Sequence, residues 1–324
     1  EDDEYTDGMV AQLATNKLEE FAMTGVPFFL AVGFFRPHTP FLAPDAYFEH
    51  HDLEDIVVPN REDEAWTRLP LPAQRSIRAK SSQLDVPLDT AKALIQAYRA
   101  SVSFVDAQVG RVLTALEENG LHENTLVVFL SDHGYHLGEH GHWQKQTLFE
   151  NSTRVPLIIS YPGIINKGKK SNSPVELIDL YPTLMDLAGI TTPKHVVGKS
   201  LVPIIKNVNA TVRESALTRW RNGYSIKTKR YRLTKWGVDG ELGYELYDHH
   251  NDKNELINLA NNKKYQDIMD SLKLMIEKRI LDASIKPEGL GRQFENAKLM
   301  QKAKNITYGD LHDLNGEILY YKNE

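Results

Sequence analysis

Thr125 to Lys145 reads TLVVFLSDHGYHLGEHGHWQK. It opens on an apolar run, Thr125-Leu126-Val127-Val128-Phe129-Leu130, rich in β-branched residues and free of Gly and Pro. Such a run predicts a strand buried on both faces. Polarity then changes within one residue. Ser131-Asp132-His133-Gly134 places a carboxylate and an imidazole at the strand's carboxyl end, followed by a Gly that permits a sharp turn. Ligands of open α/β sheets bind outside the carboxyl ends of strands. Four of the twelve His residues, His133, His136, His140 and His142, fall in this turn, along with Glu139, Trp143 and Lys145. Asp132 and His133 suit a metal, one offering hard oxygen and the other a neutral imidazole nitrogen. The same residues also fit a His-rich surface loop. If the loop folds back, the Lys145 ammonium can neutralise an anionic substrate; otherwise it is one more solvated Lys.

SDHGYHLGEHGHWQK resembles the second metal motif of the sulfatases, a family of the alkaline phosphatase superfamily. PFFLAVGFFRPHTPF, from Pro27 to Phe41, resembles the segment of that family that bears a catalytic histidine. With SVSFVDAQVGRVL between them, the two motifs are most similar to the iduronate-2-sulfatase branch and its bacterial relatives, over roughly residues 5 to 260. The resemblance implies an α/β fold, a mostly parallel sheet flanked by helices, with a smaller C-terminal antiparallel sheet plus helix. It implies a sulfuric ester hydrolase acting on a sulfated sugar, with a 2-O-sulfated uronate of a glycosaminoglycan or similar polysaccharide as the expected substrate. Asp132 and His133 would ligate one calcium ion. Lys145 would bind sulfate oxygens, and His38 would hydrogen-bond the bridging oxygen and help protonate the leaving group. Tyr135, His136, His140 and Trp143 would line the sugar pocket. Arg219 and Arg221 are candidates for gripping a uronate carboxylate, beside ordinary surface roles. Compartments implied by the family are secreted, periplasmic or lysosomal.

The chain has 324 residues, a formal net charge of −6 and ordinary hydrophobic and charged fractions of 41% and 25%. It is long enough for a large core. Its slight acidity argues against a nucleic-acid partner. No stretch has transmembrane length, so no membrane partner is expected, and Glu1-Asp2-Asp3-Glu4 is unlike a signal peptide. There is no Cys, and no Ser stands in an S-x-P-x-R context. The formylglycine nucleophile of the family is made from such a residue, and the paired Asp that follows the family's first strand has no counterpart here. We therefore read the chain as the C-terminal portion of a sulfatase, partnered by the N-terminal portion of the same enzyme. Two other readings stay open: a phosphate ester hydrolase of the same superfamily, and a non-catalytic remnant that binds sulfated glycans. Asp2-Asp3 is expected to be a solvated acidic head.

Periodicity predicts a helix over 5–21, a buried strand over 27–34 leading into the proline-fixed His38 loop, an irregular excursion over 41–87, and a long helix from Asp89 or Thr90 to about Asn119. A second buried strand is expected over 155–160 and a helix over 175–187. Short strands then follow at 216–220, 224–228 and 231–236, with a closing one near 245–248 and an amphipathic helix over 265–280. The expected division is 1–205 for the catalytic portion, 206–282 for a small α+β domain and 283–324 for a surface tail.

Overall fold

The computed structural model describes residues 1–59, 65–78, 83, 85–163 and 168–285, with the backbone of two short paired strands at Leu311–His312 and Ile318–Leu319. The rest of the expected tail, residues 286–310, 313–317 and 320–324, lies outside the described residues.

Helix α1, Thr6–Thr24, buries Ala11, Ala14 and Leu18 on one stripe and stops at Gly25, whose φ of 64° only Gly adopts freely. Leu18 packs with Ala115 and Leu116 of the long helix α4, Leu88–Glu118. Between them lie the single turn α2, Asp45–Phe48, and α3, Leu71–Ile77, inside the stretch expected to be irregular. In the acidic head Asp2 is engaged rather than solvated, whereas the Asp3 side chain stays 62% exposed. Asp2 accepts hydrogen bonds from the Tyr47 hydroxyl and Gln108 amide, both at 2.7 Å, and Asp3 pairs with Arg111.

Strand β1, Val127–Leu130, pairs antiparallel with β2, Leu157–Ser160, in the register Val127↔Ser160 to Leu130↔Leu157. The carboxyl end of β1 therefore meets the amino end of β2, and everything from 131 to 156 emerges from one end of the ladder. This includes the one-turn helix α5, Glu150–Thr153. Two expectations are corrected here. Residues 27–34 form no strand, because no described segment offers them a hydrogen-bonding partner; they still alternate, with Phe28 and Leu30 packed beside Leu18 and Val127 while Phe29 is 84% exposed. Strand β1 is not buried on both faces either, since Phe129 and Leu130 are exposed.

Helices α6, Leu180–Leu187, and α7, Val202–Lys206, lead into a meander of β3 (Ala216–Trp220), β4 (Gly223–Lys227), β5 (Tyr231–Trp236) and β6 (Tyr244–Asp248), paired in that order. Alternation assigns its two faces. Ile226, Leu233 and Leu246 pack on Met269, Leu272 and Ile276 of α8, Gln266–Ser284. The opposite face carries Ser225, Arg232, Thr234, Trp236, Glu245 and Tyr247, all buried. Trp236 and Tyr247 pack on Leu148 and Phe149. Polar residues on this second face are thus buried against the loop that follows β1, which polarity alone marks as solvent-facing.

Two ionic clusters bind the sheet to the rest. Arg232 donates Nε–H to Glu255 at 2.5 Å and Nη2–H to Glu150 of α5. Arg213 is held by Glu176 and Asp179, and Arg279 of α8 also reaches Glu176, at 2.5 Å. Glu245 is different. Its carboxylate accepts from Trp236 Nε1–H at 2.6 Å and the Tyr247 hydroxyl at 2.8 Å. Burial raises its pKa to about 7, and these donors only partly offset that rise. The folded chain thus binds this proton more tightly than the unfolded chain, whose ordinary value is 4.5. Stability should fall as pH rises from 4.5 through 7, by on the order of 3 kcal/mol. Glu245→Gln should flatten that slope and raise Tm at pH 8. Parallel thermal melts of both proteins from pH 5 to 8 check this, and equal slopes would contradict it.

Candidate functional site

The turn after β1 is fixed by a close backbone approach. The Gly134 N–H donates to the Ser152 carbonyl at 2.8 Å, and a Cβ at Gly134 would lie 1.9 Å from the Asn151 carbonyl oxygen. Helix α5 therefore sits directly on the turn. Within it, the His133 N–H donates to Asp132 Oδ1 at 3.0 Å, and the Ser131 hydroxyl donates to the His133 carbonyl at 3.0 Å. His133 Nδ1 lies 2.8 Å from the Gly134 carbonyl oxygen. A carbonyl only accepts, so Nδ1 carries a proton, and in the neutral form of the ring the lone pair is therefore on Nε2. That Nε2 is 3.4 Å from Asp132 Oδ2, and the Asp132 side chain is 83% exposed. Two electron-pair donors facing one another across 3.4 Å, with the ring's other nitrogen tied back to backbone, fit part of a cation's ligand shell.

The His38 loop uses the same device. His38 Nδ1 is 2.8 Å from the Thr39 carbonyl oxygen, its Nε2 has no hydrogen bond among the described residues, and its ring leans on Phe35. The peptide bonds Arg36–Pro37 and Thr39–Pro40 are both cis. Asp7, in the first turn of α1, receives the N–H groups of Phe35 and Arg36 at 2.7 and 2.9 Å. The buried Asp7 carboxylate holds the loop from below. Sequence reasoning missed this role because an Asp in a first helical turn reads as a local cap.

The two loops share an aromatic wall. Tyr135 stacks on Tyr98 with ring centroids 5.6 Å apart, meets Phe41 edge-on at 6.0 Å, and donates its hydroxyl to the Trp143 carbonyl at 2.8 Å. Trp143 is 4% exposed and packs with Ile56, Ala91 and Ile95. Tyr135 and Trp143, with Thr39 and Phe41 from the other loop, line a cavity of about 270 Å³.

The remaining candidates lie elsewhere. His136 is fully buried and its two nitrogens face the Glu139 carbonyl at 3.3 Å and Thr147 Oγ1 at 3.0 Å, so it braces the loop from inside. His140, at a φ of 56°, stacks on Phe149 at 4.0 Å. Neither lines the cavity. Burial lowers the pKa of both, and that of His142 to about 4. Lys145 is half-buried and forms no salt bridge among the described residues. Arg219 and Arg221 are exposed on the β3–β4 hairpin, over Tyr224 and Trp220 respectively. The turn end of that hairpin abuts Leu148, three residues past Lys145, since a Cβ on Gly223 would come within 2.8 Å of it. One cluster had no sequence signal. Glu150, His249 and Glu255 offer ligand atoms within 4.8 Å of one another. The Arg232 guanidinium already supplies the positive charge that those carboxylates need.

Comparison with known proteins places the chain in a family. The family described as Sulfatase matches residues 1–190, and N-sulphoglucosamine sulphohydrolase, C-terminal, matches 138–282. A sulfatase of Formosa agariphila is 37% identical over 257 residues, covering 78% of this chain and 50% of that protein. Human iduronate 2-sulfatase is 30% identical, covering 71% of this chain and 56% of the relative. Phosphonate monoester hydrolase SpPMH from Silicibacter pomeroyi shares the fold, with a TM-score of 0.77 at 24% identity, covering 87% of this chain and 61% of that one. The chain spans about half the length of the curated relatives it matches.

If the approach of α5 sets the turn, Gly134→Ala should cost about 2–3 kcal/mol or more, because a backbone carbonyl cannot move aside as a side chain can. Gly33→Ala, where a Cβ meets nothing within 4 Å, should stay within about 0.5 kcal/mol of wild type. Urea denaturation of the two variants measures the difference, and equal losses would remove the constraint assigned to Gly134.

Proposed function

Because this chain belongs to the sulfatase family, we propose that Asp132, His133, Lys145 and His38 are its contribution to an active centre that hydrolyses sulfate esters of a sulfated sugar. The observation that carries the proposal is the bare Nε2 of His133 facing Asp132 Oδ2 at 3.4 Å. Asp132 and His133 would hold one calcium ion, which supplies positive charge to the sulfate oxygens. Further ligands and the formylglycine nucleophile are assigned to the N-terminal portion of the same enzyme. The division into 1–205, 206–282 and 283–324 belongs to the same reading, as does a secreted, periplasmic or lysosomal setting. Among the described residues no helix is long and apolar enough to cross a membrane.

The roles follow from charge and protonation. Lys145, with no carboxylate partner among the described residues, is available to the sulfate oxygens. His38 keeps its Nδ1 proton on the Thr39 carbonyl. It therefore gains and delivers any second proton at Nε2, toward the bridging oxygen of the leaving alcohol. Tyr135 and Trp143 bear on the sugar, whereas His136 and His140 support the loop. Arg219 and Arg221 remain candidates for a uronate carboxylate, and a 2-O-sulfated uronate of a glycosaminoglycan is the substrate proposed. The iduronate 2-sulfatase relative supports that choice.

Asp132→Ala should abolish calcium binding, because it deletes the charged donor. Calorimetric titration of the assembled enzyme measures this, and unchanged affinity would remove Asp132 from the site.

In the complete enzyme, Lys145→Ala should depress kcat/KM on every sulfate ester alike. His38→Ala should cost roughly 100-fold or more on a sulfated sugar, a poor leaving group, and far less on nitrophenyl sulfate. Equal losses on both substrates would leave His38 a sulfate ligand or a structural residue.

A further inference from the structure

A line of buried polar side chains runs behind the site loop. Thr147 is 4% exposed and Ser152 5%. Their hydroxyl oxygens lie 2.9 Å apart, and Thr147 Oγ1 is 3.0 Å from His136 Nε2. One end of the line sets the direction of its protons. The Glu139 carbonyl, 3.3 Å from His136 Nδ1, only accepts, so Nδ1 carries a proton. Burial lowers the His136 pKa well below its ordinary value, and the His142 and His140 rings that face it lower it further, so the ring is neutral. Nε2 therefore accepts from the Thr147 hydroxyl. The Thr147 oxygen, its own proton committed, accepts from Ser152. The line thus runs one way, from Ser152 through Thr147 and His136 to the Glu139 carbonyl.

Both halves of the candidate centre are attached to this line. The Thr147 N–H donates to the Lys145 carbonyl at 2.9 Å and closes the turn that carries the Lys145 side chain. The Ser152 carbonyl accepts from the Gly134 N–H at 2.8 Å, in the turn that carries Asp132 and His133. His136 ties the two limbs a second time, its N–H donating to the Gln144 carbonyl at 2.9 Å. Thr147 is followed by the buried Leu148 and Phe149. Its hydroxyl has no water to turn to, and only these partners satisfy it.

We infer that Thr147 is a positioning residue of this centre: its hydroxyl, locked between His136 and Ser152, sets the place of Lys145 relative to the turn of Asp132 and His133. It touches no substrate and acts through Lys145. The same line gives His136 its purpose inside the loop. A ring whose donor is held by backbone presents its acceptor to Thr147 in one orientation only. The inference rests on the sulfatase reading.

The test is a double-mutant cycle on the complete enzyme, read as kcat/KM on nitrophenyl sulfate. Thr147→Val keeps the shape and removes the hydroxyl, and should cost about tenfold, the equivalent of one hydrogen bond. Thr147→Ser restores the hydroxyl and should return to within about threefold of wild type. In a Lys145→Ala background Thr147→Val should cost less than about twofold, because its effect passes through Lys145. A residue that only supports the fold would cost the same factor in both backgrounds. If Thr147→Val does not fold, Ser152→Ala is measured in its place; it cuts the same line at a smaller side chain and should show the same dependence on Lys145. No loss on cutting the line, no recovery in Thr147→Ser, or equal losses with and without Lys145 would each overturn the assignment. Turnover by the wild-type enzyme tests the sulfatase reading separately. If wild type leaves nitrophenyl sulfate intact, the cycle is run on nitrophenyl phosphate, the substrate class of the other hydrolase reading. An enzyme that turns over neither compound overturns both.

Discussion

The buried guanidinium of Arg232 holds the site in place. It lies on the inner face of the four-stranded sheet, 2% exposed, bonded to Glu255 at 2.5 Å and to Glu150. Burial alone would raise the Glu255 pKa, yet the Arg232 charge and the His249 bond hold it at about 2. Removing one partner of such a group typically costs 3–5 kcal/mol, because the other charge is left buried and unpaired. Glu150 opens α5, the backbone of α5 clamps Gly134, and Gly134 closes the turn that presents Asp132 and His133. The small sheet is thus connected to the candidate metal ligands through α5 and its contact with Gly134. Its inner face is polar because it serves as this foundation.

Both imidazoles assigned to chemistry are oriented alike, each giving its Nδ1 proton to the carbonyl of the next residue at 2.8 Å. Each therefore presents Nε2 outward. At His133 the outward nitrogen lies against a carboxylate and suits a cation; at His38 it has no partner among the described residues and suits proton delivery. Identical residues acquire separate roles from their neighbours, and in both cases the backbone sets the tautomer.

Much of this was legible in the sequence. The apolar run into Ser131-Asp132-His133-Gly134 marked the strand and the turn, and the apolar stripes of α1, α4 and α8 marked the helices. Short alternating runs marked the meander. What was not legible depends on partners distant in sequence. Residues 27–34 have the composition of a strand, but a strand exists only in a ladder, and none forms there among the described residues. Asp7, an acidic residue in a first helical turn, is the anchor of a loop 28 residues away. His136 shared its motif with His133, yet motif spacing says nothing about which side of a loop faces inward. Arg232 sits in a strand whose alternation reads as solvent-facing, and its two carboxylates come from segments that no periodicity links to it.

The central claim is that Asp132 and His133 belong to a single-cation sulfatase centre. Metal analysis of the complete enzyme, purified without chelator, tests it most directly. The account predicts one calcium per chain, with no stoichiometric zinc or manganese, because Asp132 and His133 are the only ligand pair at the mouth of the turn among the described residues. Two zinc or manganese ions per chain would contradict it and would identify a phosphate ester hydrolase instead.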